Sequence, residues 1–214
     1  MTARFDALPT ARQADILAAV CALESAHGPV AATAYRALAE PDLREAVRDL
    51  LSAAGRILIP VGKGYTSGYD DRISARLADE GTGILRPDDR AVLTLVLLLC
   101  VAIPRSEGKV PADAPWTHAP PVTRERLMKN TRLNESVITP ALQRLDDAGL
   151  ITRSGKGGLK PGPQLDRLTP AMSAAIFEEL VLLAEPEGIL ADSIRRRRQA
   201  RSAAKIAETP TSQE

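Results

Sequence analysis

The sequence predicts a mainly α-helical protein with small β-wings, built from two winged-helix units in tandem. Of its 214 residues, 44% are hydrophobic but only 3% are aromatic, so the core must consist of aliphatic side chains, which suits helices. Residues 43–57 and 137–151 share one pattern, a helical segment that ends at Ala-Gly and continues as an apolar strand. A Gly-Lys-Gly turn follows each copy, at residues 62–64 and 155–157. A helix, a glycine stop, a strand and a glycine turn form the back half of a winged helix.

The first unit is predicted to span residues 1–80. Its apolar residues recur at helical spacing until Gly28-Pro29 interrupts them, and Asp42 is a candidate N-cap for the helix that ends at Gly55. Residues rich in Ile, Leu and Val then indicate a strand. The predicted elements are helices over 10–27, 30–39 and 42–54, a strand over 56–61 and a returning strand over 65–73.

The second unit is predicted to span residues 81–184 and to contain a buried central helix. After a polar connector over 74–86, Pro87 occupies a favoured first helical position. The apolar run 91–103 that follows is shorter than the roughly 20 residues needed to span a membrane. Trp116 lies in a proline-rich loop, and we expect it to fold back onto the core; the alternative is that it faces a partner.

The remaining elements of this unit follow the same reasoning. Asn134 is a candidate N-cap for a helix that ends at Gly149. The other predicted elements are a helix over 123–131, wing strands over 150–153 and 165–168, and a last helix over 169–184. Residues 185–214 are predicted to form a basic, disordered tail. Its Arg195, Arg196, Arg197 and Arg198 fit either an electrostatic anchor for DNA or an acidic partner, or the solvated continuation of a helix.

The segment from Leu133 to Arg153 resembles the turn, recognition helix and first wing strand of bacterial winged-helix regulators such as the MarR family. The segment Asp166–Pro170 resembles that family's second wing strand entering its next helix. In such proteins the helix lies in the major groove and the wing contacts the backbone. The resemblance therefore implies two sets of DNA-binding residues. Those that would face bases are Asn134, Ser136, Thr139 and Gln143, and those that would meet phosphates are Arg153, Lys156 and Lys160.

Three residues of this helix disfavour sequence-specific contacts with DNA bases. Pro140 removes a backbone hydrogen bond and offers no base contact, and Asp146 and Asp147 add negative charge. The formal net charge of +1 likewise does not indicate a nucleic-acid-binding protein. A purely packing role for this helix therefore stays open.

The first unit is a poorer candidate for reading DNA. Its third helix carries charges of alternating sign at Arg44, Glu45, Arg48 and Asp49, a pattern typical of a solvated face. We expect its tyrosine-bearing wing to contact protein rather than a DNA groove.

Tandem winged helices, a long apolar central helix and near-neutral charge resemble the kite subunits of SMC condensins, the MukE-like and ScpB-like proteins. The resemblance also rests on chain length and on the Gly62–Tyr65 wing, which is followed by a polar linker. It implies a homodimer, a kleisin partner, an SMC ATPase in the complex, and a role in chromosome organisation or plasmid defence at the nucleoid. The alternative function is that of a DNA-binding transcriptional regulator.

No enzyme constellation is recognisable in the sequence. The Gly-Lys-Gly turns lack the spacing and the following Ser or Thr of a phosphate loop, and His27 and His118 lack neighbouring ligands for a metal. Cys21 and Cys100 lie in apolar runs and are expected to be buried. The N-terminus lacks the apolar core of a signal peptide. We therefore expect a cytoplasmic, non-enzymatic protein without metal or cofactor. Its expected partner is a protein, DNA is a second candidate partner, and no contact with a membrane is expected.

Overall fold

The computed structural model describes residues 2–111 and 113–207, and it shows two winged-helix units. The chain is 64% helical, and its strands form two small antiparallel sheets of three strands each. The predicted fold class is confirmed. The unit boundaries given above, 1–80 and 81–184, stay predictions.

The first unit packs four helices against one sheet and ends in a fifth helix. Its helices are α1 (Ala3–Asp6), α2 (Thr10–Ser25), α3 (Arg36–Ala39), α4 (Pro41–Ala53) and α5 (Asp71–Asp79). Its strands are β1 (Val30–Ala31), β2 (Arg56–Val61) and β3 (Gly64–Tyr69), and β3 lies in the centre of the sheet. The aliphatic core lies between α2, α3 and α4 and includes the fully buried Ile16, Leu23, Leu38, Leu43 and Leu51.

Three predictions for this unit are wrong in detail. The helix predicted over 30–39 begins only at Arg36, because Val30 and Ala31 pair with β3 instead. Asp42 is not the N-cap of α4; Glu40 holds that position, and Pro41 takes the first turn, where its missing N–H costs nothing. The returning strand ends at Tyr69, because the carboxylate of Asp70 accepts the backbone N–H of Arg72 at 2.9 Å and starts α5 within the predicted strand; α5 then continues into the predicted connector.

The second unit is organised around the central helix. That helix comprises α6 (Pro87–Leu97), a π-helical turn (Leu98–Ala102) and α7 (Ile103–Ser106). The other helices are α8 (Arg124–Lys129), α9 (Glu135–Asp147), α10 (Pro170–Ala184) and α11 (Ile189–Ala207). The strands are β4 (Val122–Thr123), β5 (Ile151–Ser154) and β6 (Gly158–Pro161), with β6 in the centre.

The central helix is buried, as its apolar run predicted. Val96, Cys100 and Val101 are almost completely inaccessible, and burial raises the pKa of the Cys100 thiol to about 12. Trp116 is 4% exposed and donates from Nε1 to the Oγ of Ser173 at 2.5 Å. Its predicted return to the core is confirmed, and the alternative of a partner-facing indole is wrong. The prediction of burial also holds for Cys100 but is wrong for Cys21, which lies on the exposed side of α2.

The wing of the second unit is shorter than predicted. The turn 155–157 leads directly into β6, which pairs with β5 from Gly158 to Pro161, so that residues 165–168 are not a strand. Residues 165–167 are instead the end of a 3-10 turn, Pro163–Arg167, and Leu168 follows that turn. Leu165 is buried in the core.

The prediction of a disordered tail is wrong for residues 189–207, which form α11. Ala191 and Ile194 are fully buried, and Arg198 bonds to Glu178 and Glu179 of α10 at 3.0 and 2.7 Å. Burial of one apolar edge and these ion pairs hold the helix against α10. The end of the predicted tail, residues 208–214, lies outside the described residues.

Arg167 joins the two units. Its guanidinium donates to the carbonyl of Ala26 at 2.6 Å and to the carbonyl and hydroxyl of Ser67 at 3.0 and 3.1 Å. The carbonyl of Arg167 passes so close to Gly68 that a Cβ there would lie 2.1 Å from it. Thr169 adds a hydrogen bond to Asp71 of α5. The backbones of the two units therefore meet in direct contact at this junction.

Replacement of Gly68 tests how closely the units must approach. Gly68→Ala places a methyl group against the Arg167 carbonyl, and we expect the free energy of unfolding, measured by chemical denaturation, to fall by about 1–3 kcal/mol. The control is Gly155→Ala, where an added Cβ meets nothing within 4 Å, and its effect is expected to stay within about 0.5 kcal/mol. Equal effects of the two variants would contradict the tight junction.

A partly buried ion pair joins α9 to the central helix and should make stability depend on pH. Asp89 is 5% exposed and accepts Nε and an Nη of Arg144 at 3.1 and 2.6 Å. The hydrogen bond from Arg144 lowers the pKa of Asp89 from its usual value of 3.8. A lowered pKa stabilises the folded state above pH 3.8, and this stabilisation disappears as the pH falls through the folded-state value.

The variant Asp89→Asn should therefore be less stable than the native chain at pH 7, and the difference should shrink as the pH falls below about 4. Denaturant titrations at a series of pH values measure it. The exposed Asp79→Asn serves as the control, with no such pH-dependent difference expected. A native-to-variant difference that stays constant down to pH 2.5 would show that the pair does not titrate as described.

Candidate interaction groove between the two units

The residues predicted to face DNA bases lie on the exposed side of α9. Asn134 occupies the N-cap position, although its side chain makes no capping hydrogen bond. Ser136, Thr139 and Gln143 are exposed on the helix, and so is Pro140 between them. The structure therefore presents the predicted face to solvent, with the proline in its centre.

The polar groups of this face are bonded to one another. Gln143 donates to Asp147 at 2.8 Å, while Arg153 of β5 donates to Asp146 at 2.9 Å and to Gln143 at 3.0 Å. Arg153 is thus neutralised by a carboxylate of the same face. A DNA backbone would have to compete with these local partners for its charge.

The other predicted contacts are divided between several places. Thr139 accepts a hydrogen bond from Arg124, which also pairs with Glu135. Lys160 points back to its own unit, with Nζ 3.4 Å from the carbonyl of Thr117. The side chain of Lys156 lies outside the described residues.

The four arginines of α11 do not join this face into one basic surface. Arg195 pairs with Asp192, while Arg197 and Arg198 pair with Glu178 on α10 at 2.9 and 3.0 Å. Only Arg196 among the four has no ion pair with a described residue. Three of the four predicted tail arginines are therefore already paired with carboxylates of the same chain.

A concave surface of about 720 Å³ lies between the two units. The first unit contributes the end of β2 and the following turn, from Ile59 to Gly62. The second unit contributes the loop around Trp116 and one face of α10. The apolar residues that line the groove are Ile59, Pro60, Val61, Ala114, Pro115, Trp116, Leu165, Leu168, Pro170, Ala174 and Phe177.

Arg105 supports the aromatic wall of the groove. Its guanidinium lies 5.6 Å from the ring centres of both Trp116 and Phe177 and donates to the carbonyl of Ala114 at 2.5 Å. Burial lowers the pKa of Arg105, and the nearby Asp113 opposes this shift. Cation–π contacts of this kind hold the two rings in place at the edge of the groove.

Asp166 fixes the loop that carries the indole. Its carboxylate is 7% exposed and accepts the hydroxyl of Thr117 at 2.9 Å. Burial raises the pKa of Asp166, while the hydrogen bonds from Thr117 and from the backbone of Trp116 act in the opposite direction. The carboxylate thereby ties the short 3-10 helix 116–118 to the segment that carries Arg167.

The sequence pointed to Trp116 but missed the rest of the groove. Residues 59–62 and 170–178 are distant in the chain, and their patterns had already been explained as a strand and an amphipathic helix. The apolar residues at the outer end of β2 could have indicated the groove, because Ile and Val on a wing suggest that this part of the wing is covered rather than exposed to solvent.

Comparisons with known proteins add little beyond the fold. No family model and no curated protein matches the sequence. Among solved structures, the chain is similar to the crystal structure of ScpB from Mycobacterium tuberculosis, with 20% identity over 74% of this chain and 95% of that chain and a TM-score of 0.24. We therefore take the fold class from the elements themselves.

Two further properties concern the described residues only. None of their helices is long and apolar enough to cross a membrane. Within the same residues, no group of three or more His, Cys, Asp or Glu side chains is placed to hold a metal ion.

Removal of the carboxylates on α9 should increase the positive charge of its exposed face and thereby the affinity of the chain for DNA. In the double variant Asp146→Asn with Asp147→Asn, Arg153 and Gln143 lose their charged partners, and we expect tighter binding to random duplex DNA at about 50 mM salt, with the gain lost by about 200 mM. Fluorescence anisotropy measures it. Asp79→Asn with Glu80→Gln removes the same charge from α5 and should change binding less; an equal gain would exclude a local effect.

Proposed function

We propose that this chain is a non-enzymatic accessory subunit of an SMC-type complex, of the kite class, that holds a segment of a kleisin partner. The observation that carries the proposal is the apolar groove between two winged-helix units that contact each other at Arg167. Chromosome organisation or plasmid defence near the nucleoid, in the cytoplasm, is the corresponding role.

The shape and chemistry of the groove suit a helical peptide. Its apolar residues come from both units, and charged groups such as Asp113, Glu178 and Arg197 stand among them. An amphipathic helix binds in such a groove through side chains spaced three and four residues apart. Phe177 is partly exposed and supplies aromatic surface, which contributes strongly to binding energy at protein interfaces, and the buried Trp116 lies behind it in contact with the same Arg105.

The junction at Arg167 supports the same proposal. A groove formed by two units keeps its shape only when the units do not move freely against each other, and a preformed groove loses less entropy on binding. The internal bonding of the α9 face, described above, makes sequence-specific reading of DNA the weaker explanation of this fold.

The proposal predicts that a bulky charged side chain in the groove abolishes capture of the kleisin. Ala174 is exposed and lines the groove, so Ala174→Arg should block it at little cost to folding. Ala175→Arg is the matched control, because Ala175 is equally exposed on α10 but does not line the groove. The measurement is co-purification after co-expression with the kleisin and SMC subunits of the same genome.

Capture by the native chain and by Ala175→Arg, but not by Ala174→Arg, is the expected result. The absence of any complex with the native chain would overturn the proposed function. Equal capture by all three chains would show that the partner binds elsewhere, and the groove would lose its proposed role.

A second candidate function is DNA binding by a transcriptional regulator, and one observation favours it. Arg126, Lys129 and Arg132 are exposed on α8 and the turn before α9, and none of them forms an ion pair with a described residue. Basic residues in that turn can contact phosphates. Tight binding of the native chain to one selected duplex, with at least tenfold weaker binding to the random duplex used above, would support this function over the kite.

A further inference from the structure

Arg105 brings a positive charge into the groove without a carboxylate beside it. The side chain is partly buried and lines the groove next to the rings of Trp116 and Phe177. Its guanidinium makes one hydrogen bond to the described part of the chain, the bond to the carbonyl of Ala114. Its Nε is buried and has no hydrogen-bond partner there. Most of the hydrogen-bonding capacity of this cation is therefore unused in the free chain.

The acidic residues that line the groove do not fill this place. Glu178 is 7% exposed and accepts Arg197, the other arginine of the groove, at 2.9 Å, as well as a second arginine of α11. Asp166 is bonded to the loop that carries the indole. Of the two arginines that line the groove, Arg105 is the one without an ion pair to a described residue.

Asp113 is the acidic residue nearest to this place, and it stays apart. It is exposed and lines the same groove, and its charge acts on the pKa of Arg105, but the two side chains form no ion pair. A carboxylate that arrives from outside would be attracted by Arg105 and repelled by Asp113. The two residues should therefore affect the binding of an acidic partner in opposite directions.

The physical chemistry of a partly buried guanidinium explains what it requires. Removal of a charge from water is costly unless an opposite charge and hydrogen bonds replace the water. The pKa of Arg105 is lowered mainly by burial, which is the mark of this cost. A carboxylate meets the requirement best, because it can accept two parallel N–H groups of the guanidinium plane.

We propose that Arg105 binds the carboxylate of an Asp or Glu side chain in the protein segment that occupies the groove. The inference rests on the proposed function for the identity of that segment as part of a kleisin, and it adds a chemical requirement, an acidic residue next to the apolar ones. A segment that is apolar throughout would bury the guanidinium further without a counter-ion. Arg105 thereby contributes to the specificity of the groove as well as supporting its aromatic wall.

The first experiment does not depend on the identity of the partner. A phage-displayed library of random 12-residue peptides is selected on the full native chain, and the selected peptides are synthesised with an amidated C-terminus, which removes the terminal carboxylate. We expect them to share an Asp or Glu next to apolar residues. Replacement of that residue by Asn or Gln should weaken binding at least about tenfold, measured by fluorescence anisotropy.

The second experiment assigns this preference to Arg105. Arg105→Gln should bind the acidic peptide at least about tenfold more weakly than the native chain, and should bind the amide version of the peptide as the native chain does. A merely structural loss would weaken the binding of both peptides. Asp113→Asn removes a like charge from an exposed position and should tighten binding of the acidic peptide about two- to fivefold. Arg196→Gln, which removes an exposed charge outside the groove, is the control and should change binding less than twofold.

The outcomes separate the inference from the proposed function. The carboxylate site is overturned if selection yields no binding peptide, if binding does not depend on an acidic side chain or needs a free C-terminus, or if Arg105→Gln weakens both versions of the peptide equally. Kleisin capture is read independently through Ala174→Arg. Acidic peptides that depend on Arg105, together with no capture of the kleisin, would leave the site standing and overturn the proposed function. Capture of the kleisin without any dependence on Arg105 would do the reverse.

Discussion

The contact between Arg167 and the first unit is the interaction on which the arrangement of this molecule depends. The guanidinium reaches the carbonyl of Ala26 and the carbonyl and hydroxyl of Ser67, which is completely buried. Burial lowers the pKa of Arg167, and so does the nearby Arg56, while Glu24 counteracts both effects. Glu24 also pairs with Arg56 at 2.9 Å. A single carboxylate thus balances the two guanidinium groups that meet at the junction.

The functional surface follows from this junction. Arg167 lies at the end of the 3-10 turn that carries Asp166, and Asp166 holds the loop of Trp116. The same short segment therefore fixes the distance between the units and positions the aromatic wall of the groove between them. The exposed side of α9 differs from the groove, because its hydrogen-bond donors already bond to acceptors on the same surface.

The sequence predicted most of the local structure and only part of the candidate site. The glycine at the end of α4 and of α9, at positions 55 and 149, has positive φ in both cases, so the repeated Ala-Gly pattern marked real helix ends. The second strand of the second wing was placed too late in the chain, because Gly158–Pro161 has little strand propensity. It forms a strand because β4 and β5 supply partners on both sides. The sequence predicts a tail for the arginine-rich end because its acidic partners, Glu178 and Glu179, belong to another helix.

The sequence by itself determined the type of unit, its duplication, the buried central helix and the return of Trp116 to the core. These features depend on spacing along the chain, on glycine at helix ends and on the burial of aliphatic side chains, all of which are local. The tertiary structure alone decided that the predicted DNA face bonds to itself, that α11 packs on α10 and that a groove separates the two units. Those results depend on pairs such as Arg153 with Asp146 and Arg167 with Ser67, which meet only after folding. The sequence does not show which residue a charged side chain will contact, so the role of that side chain is determined only by the folded structure.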